Sequence, residues 1–432
     1  MTGRALGEVD FVLLGVPDVN GMLRGKTLTR SEFERVTERG HMALSRLIFA
    51  LDFSDDQIDG LPEFGLSSGA SDILVRPDLS TLAPLSWRPG WAICIGTPTW
   101  SDGSPVGVAP RVLLEQVQAA NPGVTVRAAL EYEVRIVSAD GGPVTGGLQY
   151  SLVDAAHLAD LTEALSAACV ALGIDLGVVH TEGGHGLVEF NVSPSDAVRA
   201  ADEATLLKTC LKQLARTMGL SVSFLAKQVE GEEGSGGHLH VSLWDGQGRS
   251  LFAGDPVHDG ISDPMSHAIA GLLELMPAMS LLYNPTINSY KRVIERLFAP
   301  VTASWGLDNR STAVRAITGT PESTRVEIRR PGADANPYLV LAAALGSMAH
   351  GLSKGVPAPA PATGDASQPP PGTDRLPSSL EEAVRVFEAD PVAQAVLGSE
   401  FSDYFAATRR WELRAWQRTV TDWERGRYGP VV

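Results

Sequence analysis

The 432-residue sequence predicts an α+β fold in which a sheet is covered by helices on one side. Two observations carry that expectation. Helical periodicity alternates with strand-like runs through the middle of the chain, and four of those runs place charged or imidazole groups at every second position. The runs are Glu131-Tyr-Glu133, Glu182 with Gly-Leu-Val-Glu189, His238-Leu-His240-Val-Ser242, and Arg325-Val-Glu327-Ile-Arg329.

The elements follow in order. Phe11 to Val16 reads as a strand, Thr29-Arg-Ser-Glu opens a helix, and Trp91 to Thr97 reads as a second strand. Pro105 to Pro110 marks a seam, so we expect a small mixed module over 1–104 and a larger domain over 105–432. Beyond the seam come a helix at Arg111 to Ala120, a strand at Val124 to Val137, and helices near Ala155 to Leu172 and Glu203 to Met218. Gly355 to Pro377 holds seven prolines and little apolar content, the composition of an exposed loop or disordered insertion. Leu380 to Tyr428 returns to helical periodicity, with Trp411, Trp416 and Trp423 expected as core and packing residues. No internal repeat is visible.

Composition narrows the function classes. At 44% hydrophobic residues the chain can bury a large core, and its length exceeds what a single core usually supports. A formal charge of −16 argues against a phosphate-tracking or anionic-membrane surface, so we expect no nucleic-acid and no membrane partner, and any polyanion must bind locally. Cys94, Cys169 and Cys210 are odd in number and lack C-x-x-C spacing, which supports neither a disulfide framework nor a zinc ribbon. No leader-like N-terminus is seen, and no apolar run approaches the ~18 residues of a membrane span. A cytoplasmic location is expected.

Side chains two apart in a strand point the same way, so Glu131 and Glu133 share a face, as do His238, His240 and Ser242. One such face is ordinary solvated surface. Five carboxylates and a histidine converging on one cleft would repel unless cations sat among them, and oxygen donors with an imidazole suit Mg²⁺ or Mn²⁺. Gly231-Glu-Glu-Gly-Ser-Gly-Gly-His238 lacks the Gly-Lys-Ser/Thr ending of a P-loop, but its glycines allow a ligand to approach closely. Asn309 to Arg315 and Thr324 to Arg329 concentrate arginine in an acidic chain. Either they form surface salt bridges, or they are a cationic wall that neutralises a transferring phosphoryl group.

Taken in order, Glu131-Tyr-Glu, Glu182-Gly-Gly-His-Gly-Leu-Val-Glu, Gly234-Ser-Gly-Gly-His-Leu-His-Val-Ser-Leu, Asn284-Pro-Thr-Ile-Asn-Ser-Tyr-Lys-Arg292, Ala299-Pro with Asn309-Arg, and Arg325 to Tyr338 resemble the glutamine synthetase superfamily. The resemblance runs from Asp18-Val-Asn-Gly-Met-Leu-Arg-Gly-Lys26 and Ser71 to Asp78 through to Val420-Thr-Asp-Trp-Glu424. It points to the γ-glutamyl-amine ligases, of the γ-glutamylpolyamine synthetase type. It implies a β-grasp-like N-terminal domain, a catalytic domain on a curved antiparallel sheet, and homo-oligomers, commonly dodecamers of two hexameric rings with active sites between subunits. It also implies ATP and two or more Mg²⁺ or Mn²⁺ ions. By motif position Glu133, Glu182 and Glu189 look like ligands of one cation, and Glu131, His238 and Glu327 of a second. His240 and Ser242 look like nucleotide contacts, with Arg325 near the phosphates. Arg292 and Arg329 resemble the arginines that hold the carboxylates of glutamate, Gly234 sits at the amino-acid site, and Arg310 and Arg315 look like stabilisers of the transferring phosphoryl group. Asp52 matches an aspartate that a neighbouring subunit uses as base toward the amine.

The chain departs from that pattern at three places. Phe298 stands before Ala299-Pro where the family has a glutamate linked to the ammonium site, and Glu295 is a shifted substitute carboxylate. A phenyl ring cannot hold ammonium by charge, though it can contact a cation or an alkyl group. Glu233 replaces an asparagine beside the amino-acid site, where a carboxylate could bind an α-ammonium or favour another substrate. No tyrosine lies between Tyr338 and Tyr404, which argues against adenylylation there. The leading expectation is an ATP-dependent ligase joining the γ-carboxylate of glutamate to a polyamine, ethanolamine or alkylamine through γ-glutamyl phosphate. The alternatives are an ammonia-using glutamine synthetase and a non-catalytic ring protein.

Overall fold

The computed structural model describes residues 9–255, 259–293, 298–367 and 375–432. The continuous apolar run of β1 (Phe11–Pro17) pairs antiparallel with β2 (Leu23–Thr29). The next helix, α1 (Arg30–Arg39), begins where the Thr-x-x-Glu spacing predicts: the Thr29 side chain accepts the Glu32 N–H, and Gly40 closes the helix at φ 86°. Strands β3 (Met42–Ser45), β4 (Asp72–Pro77), β5 (Ala83–Pro84) and β6 (Trp91–Thr99) complete a six-stranded sheet, ordered β2-β1-β6-β4-β3 with β5 on β6. The β1–β6 pair is parallel.

After α2 (Pro110–Ala119) the chain enters β7 (Thr125–Ser138), the spine of the second sheet. Then come α3 (Leu152–Ala155), α4 (Ala159–Leu172), β8 (Leu176–Thr181), β9 (Leu187–Val192), α5 (Ala197–Thr217), β10 (Leu220–Ser223) and β11 (Gly237–Trp244). The order continues with α6 (Asp263–Tyr283), α7 (Ser289–Arg292), β12 (Trp305–Leu307), β13 (Val314–Ile317), β14 (Arg325–Ile328) and α8 (Pro337–Lys354). The eight strands run β12-β13-β14-β11-β7-β9-β8, with β10 beside β7.

Helices cover one face of this sheet. Lys208 of α5 lies over the Tyr132 ring at 5.2 Å, so α5 packs on the side opposite Glu131 and Glu133. Behind it α6 and α8 cross so closely that a Cβ on Gly271 would sit 2.1 Å from the Ser347 carbonyl oxygen, which only glycine tolerates. Arg111 joins the end of the N-terminal sheet to α5, with its guanidinium 2.6 Å from Asp78 and 2.9 Å from Asp202. Removing it would leave Asp202 buried without a counterion, a loss of about 3–5 kcal/mol.

Several expectations shift. The helix expected from Glu203 begins at Ala197, because Asp196 caps it by accepting the Arg199 N–H. Two helical stretches, Leu152–Leu172 and Asp263–Tyr283, do reach the length and mean hydropathy (1.3) of a membrane span, although 72% of the second is buried within the fold. The described part of the proline-rich segment is the exposed loop expected, and it is anchored at two points: Trp305 donates to Pro359 O at 2.7 Å, and buried Arg330 donates to Pro377 O at 2.6 Å. The C-terminal helices are α9 (Leu380–Ala389), α10 (Pro391–Leu397), α11 (Ser399–Arg418) and α12 (Asp422–Tyr428). Trp416 and Trp423 lie outside the core, 50% and 63% exposed, while Trp411 packs against it. Their spacing is helical, but the apolar stripe of α11 is carried by Phe401, Tyr404 and Phe405. All three cysteines are free and buried.

Candidate active site

Strand register assembles the site. In the antiparallel ladder His238 faces Glu131 across β11 and β7, and Glu133 faces Glu189 across β7 and β9. His180 faces Glu189 on the next strand. On the other side His240 and Arg315 both stand opposite Glu327. The four polar-faced runs therefore converge because neighbouring strands align their parity, not merely because each alternates.

Two groups of donors result. Glu131, His240 and Glu327 bring one ligand atom each within 4.8 Å of one another, and so do His180, Glu182 and Glu189. His238 bridges toward the first group, with Nδ1 2.7 Å from Glu131 and 3.7 Å from Glu327, while its Nε2 lies 3.8 Å from Glu133. Glu133 accepts the Gly236 N–H at 2.6 Å, which fixes the glycine-rich loop against β7. Carboxylate oxygens with imidazole nitrogens form a hard, mixed O/N donor set, and that set fits Mg²⁺ or Mn²⁺.

The electrostatics divide the carboxylates. Burial pushes Glu327 up, but Arg329, His240 and His238 outweigh it and leave the carboxyl at about 2. Burial likewise opposes ionisation of Glu131, yet hydrogen bonds from His238 and His240 hold it well below the usual range. Glu182 behaves oppositely: burial, then Glu133 and Glu189, raise it to about 7. Burial disfavours the His180 cation, but Glu189 and Glu182 raise it to about 8. The pocket around His180 thus carries surplus negative charge, whereas Glu327 is already compensated.

Arginines line the opposite wall. Arg329 is bonded to Glu327 through Nη1, and its buried Nε has no partner among the described residues. An unmet donor of that kind is costly unless a ligand supplies an acceptor. Arg315 donates to Glu327 at 2.9 Å and also to Asp308. Arg325 donates through Nε to His240 Nδ1 at 3.2 Å, so His240 Nε2 carries the proton facing Glu131. Buried Arg292 donates to the carbonyl of Arg330 at 3.2 Å and lies over Gly234, where a Cβ would meet its Cγ at 2.7 Å. Arg310 is exposed and makes no ion pair among the described residues.

The remaining expected residues lie at the margins. Ser242 is buried and accepts from Trp244 Nε1 at 2.9 Å. The Glu233 carboxylate rests against Gly183, and burial and Glu133 raise its pKa. Phe298 is 60% exposed with φ 49°, a conformation that costs a non-glycine residue about 1–3 kcal/mol. Glu295 lies outside the described residues. Asp52 is not brought to the cluster within this chain: its carboxylate accepts from Trp411 Nε1 at 2.9 Å and from the Ser54 and Asp56 N–H groups. Sequence reasoning missed His180, Asn191 and Gln149. Asn191 donates to Glu131 and Glu189, and Gln149 donates to Glu182 at 2.9 Å. The two-residue spacing of His180 from Glu182 was the available signal.

The glutamine synthetase catalytic-domain family matches residues 110–428. The chain is 34% identical to a glutamate–isopropylamine ligase of a Pseudomonas species, with 98% of this chain and 96% of that protein covered. It is 33% identical to a gamma-glutamylethanolamide synthetase of Streptomyces coelicolor, covering 97% and 92%. A solved GmaS–ADP complex superposes over 100% of both chains with a TM-score of 0.87 at 27% identity. The strand register, the donor clusters and these full-length similarities together place the chain in the glutamine synthetase family, as an ATP-dependent ligase that forms carbon–nitrogen bonds.

Proposed function

We propose that this enzyme joins the γ-carboxylate of glutamate to a small organic amine, by way of γ-glutamyl phosphate. The observation that carries the reading is the juxtaposition of two acidic donor clusters with buried Arg329, whose Nε awaits an acceptor. A carboxylate does not condense with an amine in water; phosphorylation by ATP converts it into an acyl phosphate with phosphate as leaving group. Divalent cations held by the two clusters supply charge neutralisation for the phosphates.

The chain's own residues do the rest. Glu133, Glu182 and Glu189 would hold one cation and Glu131, His238 and Glu327 the other, with His180 beside the first. Arg325 and Arg315 present positive charge to the phosphoryl groups, joined by Arg310, and His240 with Ser242 lines the nucleotide side. Arg292 and Arg329 hold glutamate, with Gly234 leaving room for it and Glu233 facing its ammonium. Asp52, turned away from its own cluster, serves the site of a neighbouring subunit as base. That assignment goes with a homo-oligomeric ring, read as a dodecamer of two hexamers, in a cytoplasmic protein. The division of the chain at 104/105 follows the gap between β6 and α2.

The acceptor reading rests on Phe298, an aromatic group where ammonium would need a carboxylate, and it agrees with relatives named for the substrate isopropylamine and for a gamma-glutamylethanolamide product. The test is phosphate release from ATP with glutamate and a panel of ammonium, putrescine, spermidine, ethanolamine and short alkylamines. An organic amine should give the highest kcat/KM. Ammonium as the best acceptor would return the enzyme to the glutamine synthetases proper.

A further inference from the structure

A second cavity, of about 830 Å³, lies between the N-terminal sheet and the C-terminal end of α5. Because α5 covers the sheet face opposite Glu131, this cavity is separate from the cation-binding cleft. Its chemistry also runs against the chain's composition. The sequence holds 51 acidic and 35 basic side chains, yet Arg88, Lys212 and Arg216 line the cavity and no carboxylate does. None of the three makes an ion pair among the described residues. All three stand solvent-exposed at the cavity, and partial desolvation lowers the Lys212 ammonium.

The other wall is aromatic. Trp87 and Trp91 line the cavity, and neither indole N–H is bonded within the described chain. Trp91 stacks on Phe11 with ring centroids 4.8 Å apart, and the Arg88 guanidinium sits 3.7 Å over its ring. That contact holds Arg88 at the cavity while leaving its N–H groups available. Unpaired cations and free indole donors beside apolar ring surface form a donor-rich, acceptor-poor pocket, and a volume near this size admits a nucleotide-sized molecule. Asp10, the acidic neighbour of Phe11, sits against Gly90 rather than lining the cavity.

We propose that this cavity binds a small organic anion with a flat apolar body, its acidic group held by Arg88, Lys212 and Arg216 and its body laid against Trp87. Nucleotides and aromatic acids share that chemistry. Titration calorimetry on the intact protein, with Mg-ADP saturating the candidate active site, separates them using guanosine 5′-monophosphate and naphthalene-2-sulfonate as probes. Sodium sulfate and 2-naphthol serve as the ring-free and charge-free controls. At least one probe should bind, neither control should match it, and Arg88→Glu with Arg216→Glu should weaken binding at least tenfold while ligase turnover stays unchanged. Should the double variant misfold, Arg216→Gln alone should weaken binding severalfold. No heat from either probe, or equal binding by wild type and variant, would overturn the proposal.

Discussion

The sheet face and the loop rim of the candidate active site are built differently. On the face, Glu131, Glu133, Glu189, His238, His240 and Glu327 are fixed by ladder register, and each has a hydrogen-bonded or charged neighbour. On the rim, Glu233 and Phe298 sit on loops, and Phe298 is exposed in a strained backbone conformation. Ladders hold donor positions rigidly enough for phosphoryl chemistry, while loops let one enzyme class exchange its acceptor without disturbing that chemistry.

Perturbing each region should separate these roles. The largest effect is expected on the face: Glu327→Gln should lower ligase turnover by at least ~100-fold with every amine, since it removes a proposed cation ligand and the partner of both Arg315 and Arg329. Steady-state phosphate release measures it, and a variant within tenfold of wild type would remove Glu327 from the chemistry. Chelation with EDTA should abolish turnover reversibly. Adding Mg²⁺ back should raise the Tm of wild type, by about 2.7 kcal/mol of stabilisation per site at one hundred times Kd, and should raise that of a Glu182→Gln, Glu189→Gln variant by less, since only the Glu131 cluster is left to it. On the rim, Glu233→Gln should raise the KM for glutamate ~10-fold and leave kcat within about threefold; an unchanged KM would place Glu233 outside the amino-acid site.

The smallest effect is a pH dependence of the metal-free protein. Glu182 and His180 both have folded-state pKa values above their unfolded ones, about 7 and about 8. Each therefore adds stability at low pH that is lost as pH rises through the folded value. Glu131 and Glu327 are shifted downward, and their contributions fall away only in acid. Between about pH 5 and 8.5 the Tm of the metal-free protein should decline, and Mg²⁺ should flatten the slope. A Tm that climbs over this window would contradict the charge balance assigned to the His180 pocket.

How much of this was legible in the sequence follows the same division. Period-two alternation exposed Glu131, Glu133, His238, His240 and Glu327, because parity within one strand is a local property. Which strands align is not local. His180 was missed because it lies on β8, four strands from β14 in the ladder order, and only register brings it to Glu189. Asn191 and Gln149 carry no charge pattern to reveal them. Trp416 and Trp423 show the reverse failure, since helical spacing states a face but not what that face meets. Asp52 stayed apart from the cluster because its loop belongs to the N-terminal sheet and packs on α11 through Trp411.

The separation of activation from acceptor choice is tested most directly by one competition. Wild type and Phe298→Glu are each given ATP, glutamate, and equal concentrations of ammonium and the best organic amine, and the products are counted by mass spectrometry. Wild type should make mainly the γ-glutamyl amide of the organic amine, and the variant should shift the ratio toward glutamine by at least tenfold while total phosphate release changes less than threefold. Glutamine as the main wild-type product, or an unmoved ratio in the variant, would contradict the account.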